Sequence, residues 1–113
     1  MPPVEYYEST KNIWVVTPAG RMDATLASAL DDLLQTLIQQ GRTRLVVDFE
    51  KVSYLASSGL KALIAARRTT HAAGGEIVLA GLSPRVREVL EITGLDRLFR
   101  IVPSRAEALD LFV

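Results

Sequence analysis

The sequence VSYLASSGLKAL, residues 52–63, places two adjacent serines and a glycine where the pattern changes from strand to helix. The run upstream, residues 44–49, is short, apolar and rich in β-branched side chains, as is typical of a strand that is covered on both faces. Downstream, Leu60, Leu63 and Ile64 recur at helical spacing. We therefore expect a buried strand that leads into a helix, with the helix beginning at Ser57 or Ser58.

This junction predicts that Ser57 or Ser58 is the helix N-cap, whose side-chain oxygen accepts a hydrogen bond from an unpaired backbone N–H. The same N–H groups, together with the helix dipole, would also receive a phosphate attached to the hydroxyl. Phosphorylation would add about −1.5 to −2 charges at neutral pH. From the residues alone, two interpretations stay open: a structural cap, or a serine that acts as a charge switch.

The rest of the chain alternates strand and helix patterns, separated by glycines at positions 20, 41, 74, 75 and 94. Strands are predicted within residues 4–8 and at 13–17, 45–49, 76–80 and 99–102, the second being the hairpin partner of the first. Helices are predicted from Asp23 or Thr25 to Gly41, from Ser57 or Ser58 to near His71, from Ser83-Pro84, and from Ser104. This alternation predicts one α/β domain over residues 1–113 with a mainly parallel sheet.

Composition limits the classes of function. The 113 residues carry 13 basic and 13 acidic side chains, and no basic stripe is long enough to follow a phosphate backbone, so nucleic acid is not an expected partner. Cysteine is absent, which excludes disulfides and thiolate catalysis. No apolar run approaches the roughly 20 residues of a membrane-spanning helix, and the first residues do not resemble a signal peptide. We expect a cytoplasmic protein without a membrane span.

A serine at a strand-to-helix turn also suggests the nucleophile of a hydrolase. However, this turn lacks a Gly-x-Ser-x-Gly pattern, and the single histidine, His71, follows Ser57 by 14 residues. On a continuous helix this separation is about 21 Å, whereas a general base must lie within about 3 Å of the proton it takes. We therefore predict no catalytic residues, and one histidine with scattered aspartates predicts no metal site.

Two aspartates and three aromatic residues call for an interpretation. Asp23 is expected to cap the following helix, and Asp48, after a buried strand, is expected near the Ser57 loop, where it would repel a phosphate. Aromatic residues on early strands most often fill the core or its rim, and less often form a surface for a ligand or partner. These two alternatives apply to Tyr6, Tyr7 and Trp14.

Several segments together resemble the STAS domain of bacterial anti-sigma factor antagonists. They are Ser-Ser-Gly-Leu at 57–60 with its approach through Val52 and Leu55, Gly-Arg-Met-Asp at 20–23, residues 90–99, and the closing helix after Pro103, so the resemblance covers nearly the whole chain. In that family the first serine of an Asp-Ser-Ser-Gly-type motif is phosphorylated, and it corresponds to Ser57. Ser58 corresponds to a position where the family accepts serine or alanine, and Ala56 stands where many members carry aspartate.

The resemblance implies a single STAS domain, α/β in class, with a mixed, mostly parallel sheet of four to five strands and about four helices. It implies an anti-sigma factor antagonist whose unphosphorylated form binds an anti-sigma factor serine kinase and releases a sigma factor. Phosphorylation of Ser57 would end that binding, and a serine phosphatase would restore it. ATP and magnesium would belong to the kinase, so no cofactor is expected here. The implied partner-binding residues are Asp23, Ala24, Thr25, Ser57, Ser58, Gly59 and Leu60.

Other roles of STAS domains define the alternatives. Some are non-switching scaffolds, some are subunits of lipid-transport or signalling complexes, and some are cytoplasmic parts of anion transporters, which would need a membrane region. Ala56 removes a carboxylate that could orient the Ser57 hydroxyl, which keeps the scaffold alternative open. Whether Ser57 becomes modified separates the switch from the scaffold.

Overall fold

Seven strands and four α-helices form the part of the chain that the computed structural model describes, residues 4–10 and 12–112. The predicted domain, residues 1–113, also includes residues 1–3, 11 and 113, which lie outside the described residues. The strands are β1 (Glu5–Glu8), β2 (Ile13–Thr17), β3 (Gly20–Met22), β4 (Arg44–Asp48), β5 (Val52–Leu55), β6 (Glu76–Ala80) and β7 (Arg100–Val102). The helices are α1 (Ala24–Gln39), α2 (Ser57–Ala72), α3 (Pro84–Thr93) and α4 (Arg105–Asp110), with a short 3-10 helix at Leu95–Arg97.

The main sheet has five strands in the order β1-β2-β4-β6-β7. β1 is antiparallel to β2, with Tyr6 opposite Val16, and the remaining neighbours are parallel. This confirms the predicted mixed, mostly parallel sheet, the first hairpin and the number of helices.

Helices cover the main sheet on both faces, which explains why its central strands are apolar at nearly every position. Leu45 and Val47 of β4 belong to the larger core cluster, to which α1, α2 and α3 contribute. Val46, which points to the opposite face, belongs to a smaller cluster with Ala108 of α4. The main sheet therefore separates α4 from the other three helices.

A second sheet consists of the parallel pair β3 and β5, and the sequence analysis does not predict it. The prediction that residues 44–49 form the strand leading directly into the serine helix is wrong, because β5 lies between them. β3 and β5 have only three and four residues, and only the last residue of β3 and the two end residues of β5 are buried, so neither produces a continuous apolar run.

Three of the four helix starts are as predicted. The side chains of Asp23, Ser83 and Ser104 accept a hydrogen bond from the backbone N–H three residues later, at 3.0, 3.2 and 3.2 Å. Each satisfies one of the N–H groups that a helix start leaves unpaired.

Asp48 lies away from the serine helix, on the α4 side of the sheet. Its carboxylate is 3% exposed and contacts Nε and Nη2 of Arg105 at 2.8 and 2.7 Å, while Nη1 of Arg105 donates to the Tyr7 hydroxyl at 2.8 Å. The hydrogen bond to Asp48 raises the pKa of Arg105 above its ordinary value, against burial, which lowers it. The expectation that Asp48 lies near the Ser57 loop is therefore wrong, because the side chains of a strand alternate between faces and Asp48 shares the face of Val46.

The early aromatic residues lie mostly at the surface. Tyr6 and Tyr7 are 42% and 39% exposed, so of the expected core or rim positions they occupy the rim. Trp14 is half-buried against the larger core, and the guanidinium of Arg42 lies 4.0 Å from its ring centroid. β1 is an edge strand whose residues are all exposed, which leaves the two tyrosines at the rim.

Candidate functional site

The candidate site lies where β3 and β5 end, since parallel strands bring their carboxyl ends to the same edge. Met22 pairs with Leu55 at this edge, and the backbone N–H of Ala56 donates to the Met22 carbonyl at 3.0 Å. Asp23 and Ala56, the residues directly before α1 and α2, are therefore neighbours. The two helices begin side by side.

The two helix starts bring the predicted partner-binding residues together. Ser57 is exposed as the first residue of α2, Ser58 and Leu60 are half-buried, and Gly59 is buried. On α1, the cap residue and the first turn are exposed, and these are Asp23, Ala24 and Thr25.

The prediction that Ser57 or Ser58 caps α2 is wrong. Ala56 is the N-cap, with an extended backbone at φ −87° and ψ 169°, and no side chain accepts a hydrogen bond there. The bond from Ala56 to Met22 holds this residue in line with the strand, so the helical turn begins at Ser57. The first N–H groups of α2 therefore lack the side-chain acceptor that the other three helices have.

Gly59 sets how closely α2 approaches the β3–β5 pair. A Cβ at this position would lie 2.5 Å from Cγ of Met22 and 2.6 Å from Cδ1 of Leu55, which is closer than carbon atoms approach. Glycine is needed here because a side chain would overlap Met22 and Leu55, and not because the backbone has a positive φ. Packing at Gly59 turns one side of the first α2 turn inward and leaves Ser57 at the surface.

Charges around the Ser57 hydroxyl come from both helices. The Asp23 carboxylate lies at the neighbouring helix start and accepts from the Leu26 N–H at 3.0 Å. Lys61 is exposed and follows Ser57 by four residues, a spacing that puts the two side chains on the same helix face. A phosphate on Ser57 would thus meet the free N–H groups of α2, a lysine and a carboxylate.

A groove between α1 and α2 extends from this site and was missed in the sequence analysis. We call it the α1–α2 groove; it has a volume of about 410 Å³. It is lined by Ala24, Ala27, Ser28 and Asp31 of α1 and by Ser58, Lys61, Ala62 and Ala65 of α2. On each helix the four positions follow the spacing i, i+3, i+4, i+7, which defines one face. Six of these eight residues are alanine or serine, and their helical spacing is the sequence pattern from which the groove could have been predicted.

The described residues were compared with two requirements, those of a metal site and those of a membrane-spanning helix. Residues 4–10 and 12–112 contain no group of three or more histidine, cysteine, aspartate or glutamate side chains that could hold a metal ion. In the same part of the chain, no helix combines the length and apolar character needed to cross a bilayer. His71 lies near the end of α2, as the sequence analysis expects, and it is exposed.

Several known proteins resemble the chain in sequence and in structure. The STAS domain family matches residues 6–108. BtrV of Bordetella bronchiseptica, described as a candidate anti-sigma factor antagonist, is 32% identical over 93 residues, which are 82% of this chain and 80% of BtrV. The crystal structure of an anti-sigma factor antagonist from Mycobacterium paratuberculosis is 28% identical, with a TM-score of 0.83 over 96% of this chain and 92% of that one. The phosphorylated form of the Bacillus cell fate determinant SpoIIAA is 25% identical, with a TM-score of 0.78 over 97% of this chain and 99% of that one.

Proposed function

The chain belongs to the STAS-domain family of anti-sigma factor antagonists, and on this premise we propose that it is a binding protein controlled by phosphorylation. In this proposal the unphosphorylated form, a single domain over residues 1–113, binds an anti-sigma factor serine kinase in the cytoplasm and releases a sigma factor. The kinase transfers the γ-phosphoryl group of ATP to the Ser57 oxygen, and ADP leaves. The modified form no longer binds, and a metal-dependent serine phosphatase restores it.

One observation carries the proposal: an exposed serine begins α2 directly beside the start of α1. The Ala56 N–H to Met22 carbonyl bond, at 3.0 Å, joins the two starts. A kinase that contacts the first turn of α1 is therefore in position to reach the Ser57 hydroxyl. The chain contributes only the acceptor and has no catalytic role of its own.

The proposed partner surface combines both helix starts. It comprises Asp23, Ala24, Thr25, Ser57, Ser58, Gly59 and Leu60. Gly59 is buried and acts by packing, and the other six have side chains that are exposed or half-buried.

The charge on a phosphate explains how modification ends binding. A phosphate at Ser57 brings about −1.5 to −2 charges into the centre of the proposed contact surface, beside the Asp23 carboxylate. Inside an interface this charge must lose its water, and the repulsion from the Asp23 carboxylate becomes stronger there than in water. The free N–H groups at the α2 start stabilise the same phosphate when the chain is alone. Modification therefore weakens the complex without unfolding the chain.

The test is intact-mass analysis after incubation with ATP, magnesium and each candidate anti-sigma kinase of the host. Wild type is compared with Ser57→Ala, and Ser58→Ala is the matched control, because it removes the neighbouring hydroxyl from the same helix turn. We expect a phosphate mass increment in wild type and Ser58→Ala and none in Ser57→Ala.

An increment that is absent from wild type with every active kinase would contradict the switch. The second candidate function, a non-switching scaffold or a subunit of a lipid-transport or signalling complex, would then be favoured. Its supporting observation is Ala56, which leaves α2 without a side-chain cap and Ser57 without an adjacent carboxylate.

A further inference from the structure

Asp31 occupies an unusual place in the α1–α2 groove. Its Oδ1 atom is buried, and no hydrogen-bond partner for it exists among residues 4–10 and 12–112. A carboxylate oxygen that is removed from water without a partner destabilises a protein, and native structures contain few of them. The next residue, Asp32, is exposed and does not line the groove.

The groove runs directly out of the proposed partner surface. Ala24 and Ser58 line its near end, and Asp31 and Ala65 line its far end. Seven residues separate near and far ends on each helix, which corresponds to about 10 Å. Alanine and serine side chains occupy most of the lining, so the groove has room for a long side chain from outside.

No cationic side chain of the described residues forms an ion pair with Asp31 within the groove. Lys61 lines the same groove from α2, but its ammonium is exposed, and no ion pair joins it to Asp31 in the described part of the chain. The chain thus holds a carboxylate that its own described residues do not neutralise.

We infer that the α1–α2 groove continues the partner surface and binds an arginine side chain of the anti-sigma factor kinase, whose guanidinium pairs with Asp31. This inference rests on the proposed function. A guanidinium forms two parallel hydrogen bonds to a carboxylate and is more weakly hydrated than an ammonium, so arginine suits a half-buried carboxylate better than lysine does. Its aliphatic stem packs against the alanines that line the groove.

The experiment measures the dissociation constant of the complex with the kinase that phosphorylates wild type, by calorimetry without ATP, so that Ser57 stays unmodified. Asp31→Asn is compared with wild type, and Asp32→Asn is the matched control, since it makes the same change one residue away on an exposed position. We expect Asp31→Asn to weaken binding by about tenfold to a hundredfold, because it removes one partner of a buried charge pair. Asp32→Asn should stay within about twofold of wild type.

Thermal unfolding of the free variants separates binding from folding. Asp31→Asn should unfold at or above the temperature of wild type, because it loses no internal partner and removes the charge from a carboxylate whose Oδ1 atom is buried without a partner. If Asp31→Asn does not fold, Asp31→Ser provides the same test with a smaller side chain.

The outcomes distinguish this inference from the proposed function. Equal affinity of wild type, Asp31→Asn and Asp32→Asn for a kinase that phosphorylates Ser57 would overturn the groove contact and leave the switch intact. A wild type that binds no candidate kinase would overturn both. A parallel loss in both aspartate variants would also overturn the inference, because it would show a general effect of charge.

Discussion

Ala56 directly precedes the first turn of α2 in the candidate site. It leaves the first N–H groups of α2 without a side-chain acceptor, whereas Asp23, Ser83 and Ser104 supply one to the other helices. We predict that Ala56→Asp stabilises the chain by about 1 kcal/mol, because aspartate accepts a hydrogen bond from one of these groups. Urea denaturation followed by circular dichroism measures the change.

Ala73→Asp is the control for this prediction, since it puts the same charge at the opposite end of the same helix, at the C-cap. A carboxylate there opposes the helix dipole and should destabilise by about 0.3–1 kcal/mol. If both substitutions change stability in the same direction, the missing cap does not determine the stability of this turn.

Substitutions at Ser57 can separate the effect of a negative charge on kinase binding from the effect of a larger side chain. We predict that Ser57→Asp lowers the affinity for the kinase by more than about tenfold, because like charges juxtaposed in an interface cost several kcal/mol. The same substitution should stabilise the free chain by about 0.3–1 kcal/mol, since a negative charge in the first helix turn interacts favourably with the dipole. Calorimetry and urea denaturation measure the two effects.

Ser57→Asn provides the neutral control of nearly the same shape. Under the proposed mechanism it should bind the kinase more tightly than Ser57→Asp does. Equal losses in the two variants would mean that size, and not charge, ends the binding.

At the scale of elements, α2 is positioned by its contact with the β3–β5 pair. We predict that Gly59→Ala destabilises the chain by about 1–3 kcal/mol, because the new methyl group overlaps Met22 and Leu55. This would reverse the usual preference, since alanine exceeds glycine in a helix by about 1 kcal/mol. Urea denaturation measures the effect.

Ser58→Ala, at the preceding position of α2, is the control for this substitution. It should be neutral or slightly stabilising, as alanine is the better helix former. A Gly59→Ala variant as stable as wild type would show that the β3–β5 pair can shift to make room.

The sequence could predict elements whose signals are local. α1, α3 and α4 were found because a cap residue, Asp23, Ser83 or Ser104, precedes a periodic run, and both signals lie within one segment. β3 and β5 were not predicted, because each is short and is stabilised by pairing with the other, about 30 residues away in the sequence. A pattern within one segment gives no information about such a distant partner.

The same limit applies to the candidate site. Residue patterns placed Ser57 at a helix start. That Asp23 lies beside it was expected from the family resemblance and because both segments precede helices, but the pairing of β3 with β5, which brings them together, was not predicted. The cap was assigned to a serine because the usual cap residues are polar, whereas a backbone bond to Met22 selected Ala56. Asp31 and Asp32 look alike in the sequence, and only the packing of α1 on α2 distinguishes them.

At the scale of the whole molecule, the main sheet separates the partner surface from the face that α4 covers. The Asp48–Arg105 ion pair lies on the α4 face and joins β4 to α4. Asp48 is 3% exposed, so it depends on this arginine, whereas Arg105 itself is 39% exposed. An uncompensated buried charge is expensive, but partial access of water reduces the effect.

We therefore predict that Arg105→Ala destabilises the chain by about 2 kcal/mol, because it leaves the buried Asp48 carboxylate without its cation. Arg100→Ala is the control, since its pair with Glu76 is exposed and 3.6 Å long and should contribute less than about 0.5 kcal/mol. Below its unfolding transition, Arg105→Ala should still accept a phosphate on Ser57 at the rate of wild type, because the altered face lies across the sheet from α2. A slower phosphorylation of the folded variant would mean that the two faces of the sheet are coupled through β4. A free energy of unfolding equal to that of Arg100→Ala would mean that Asp48 finds another partner.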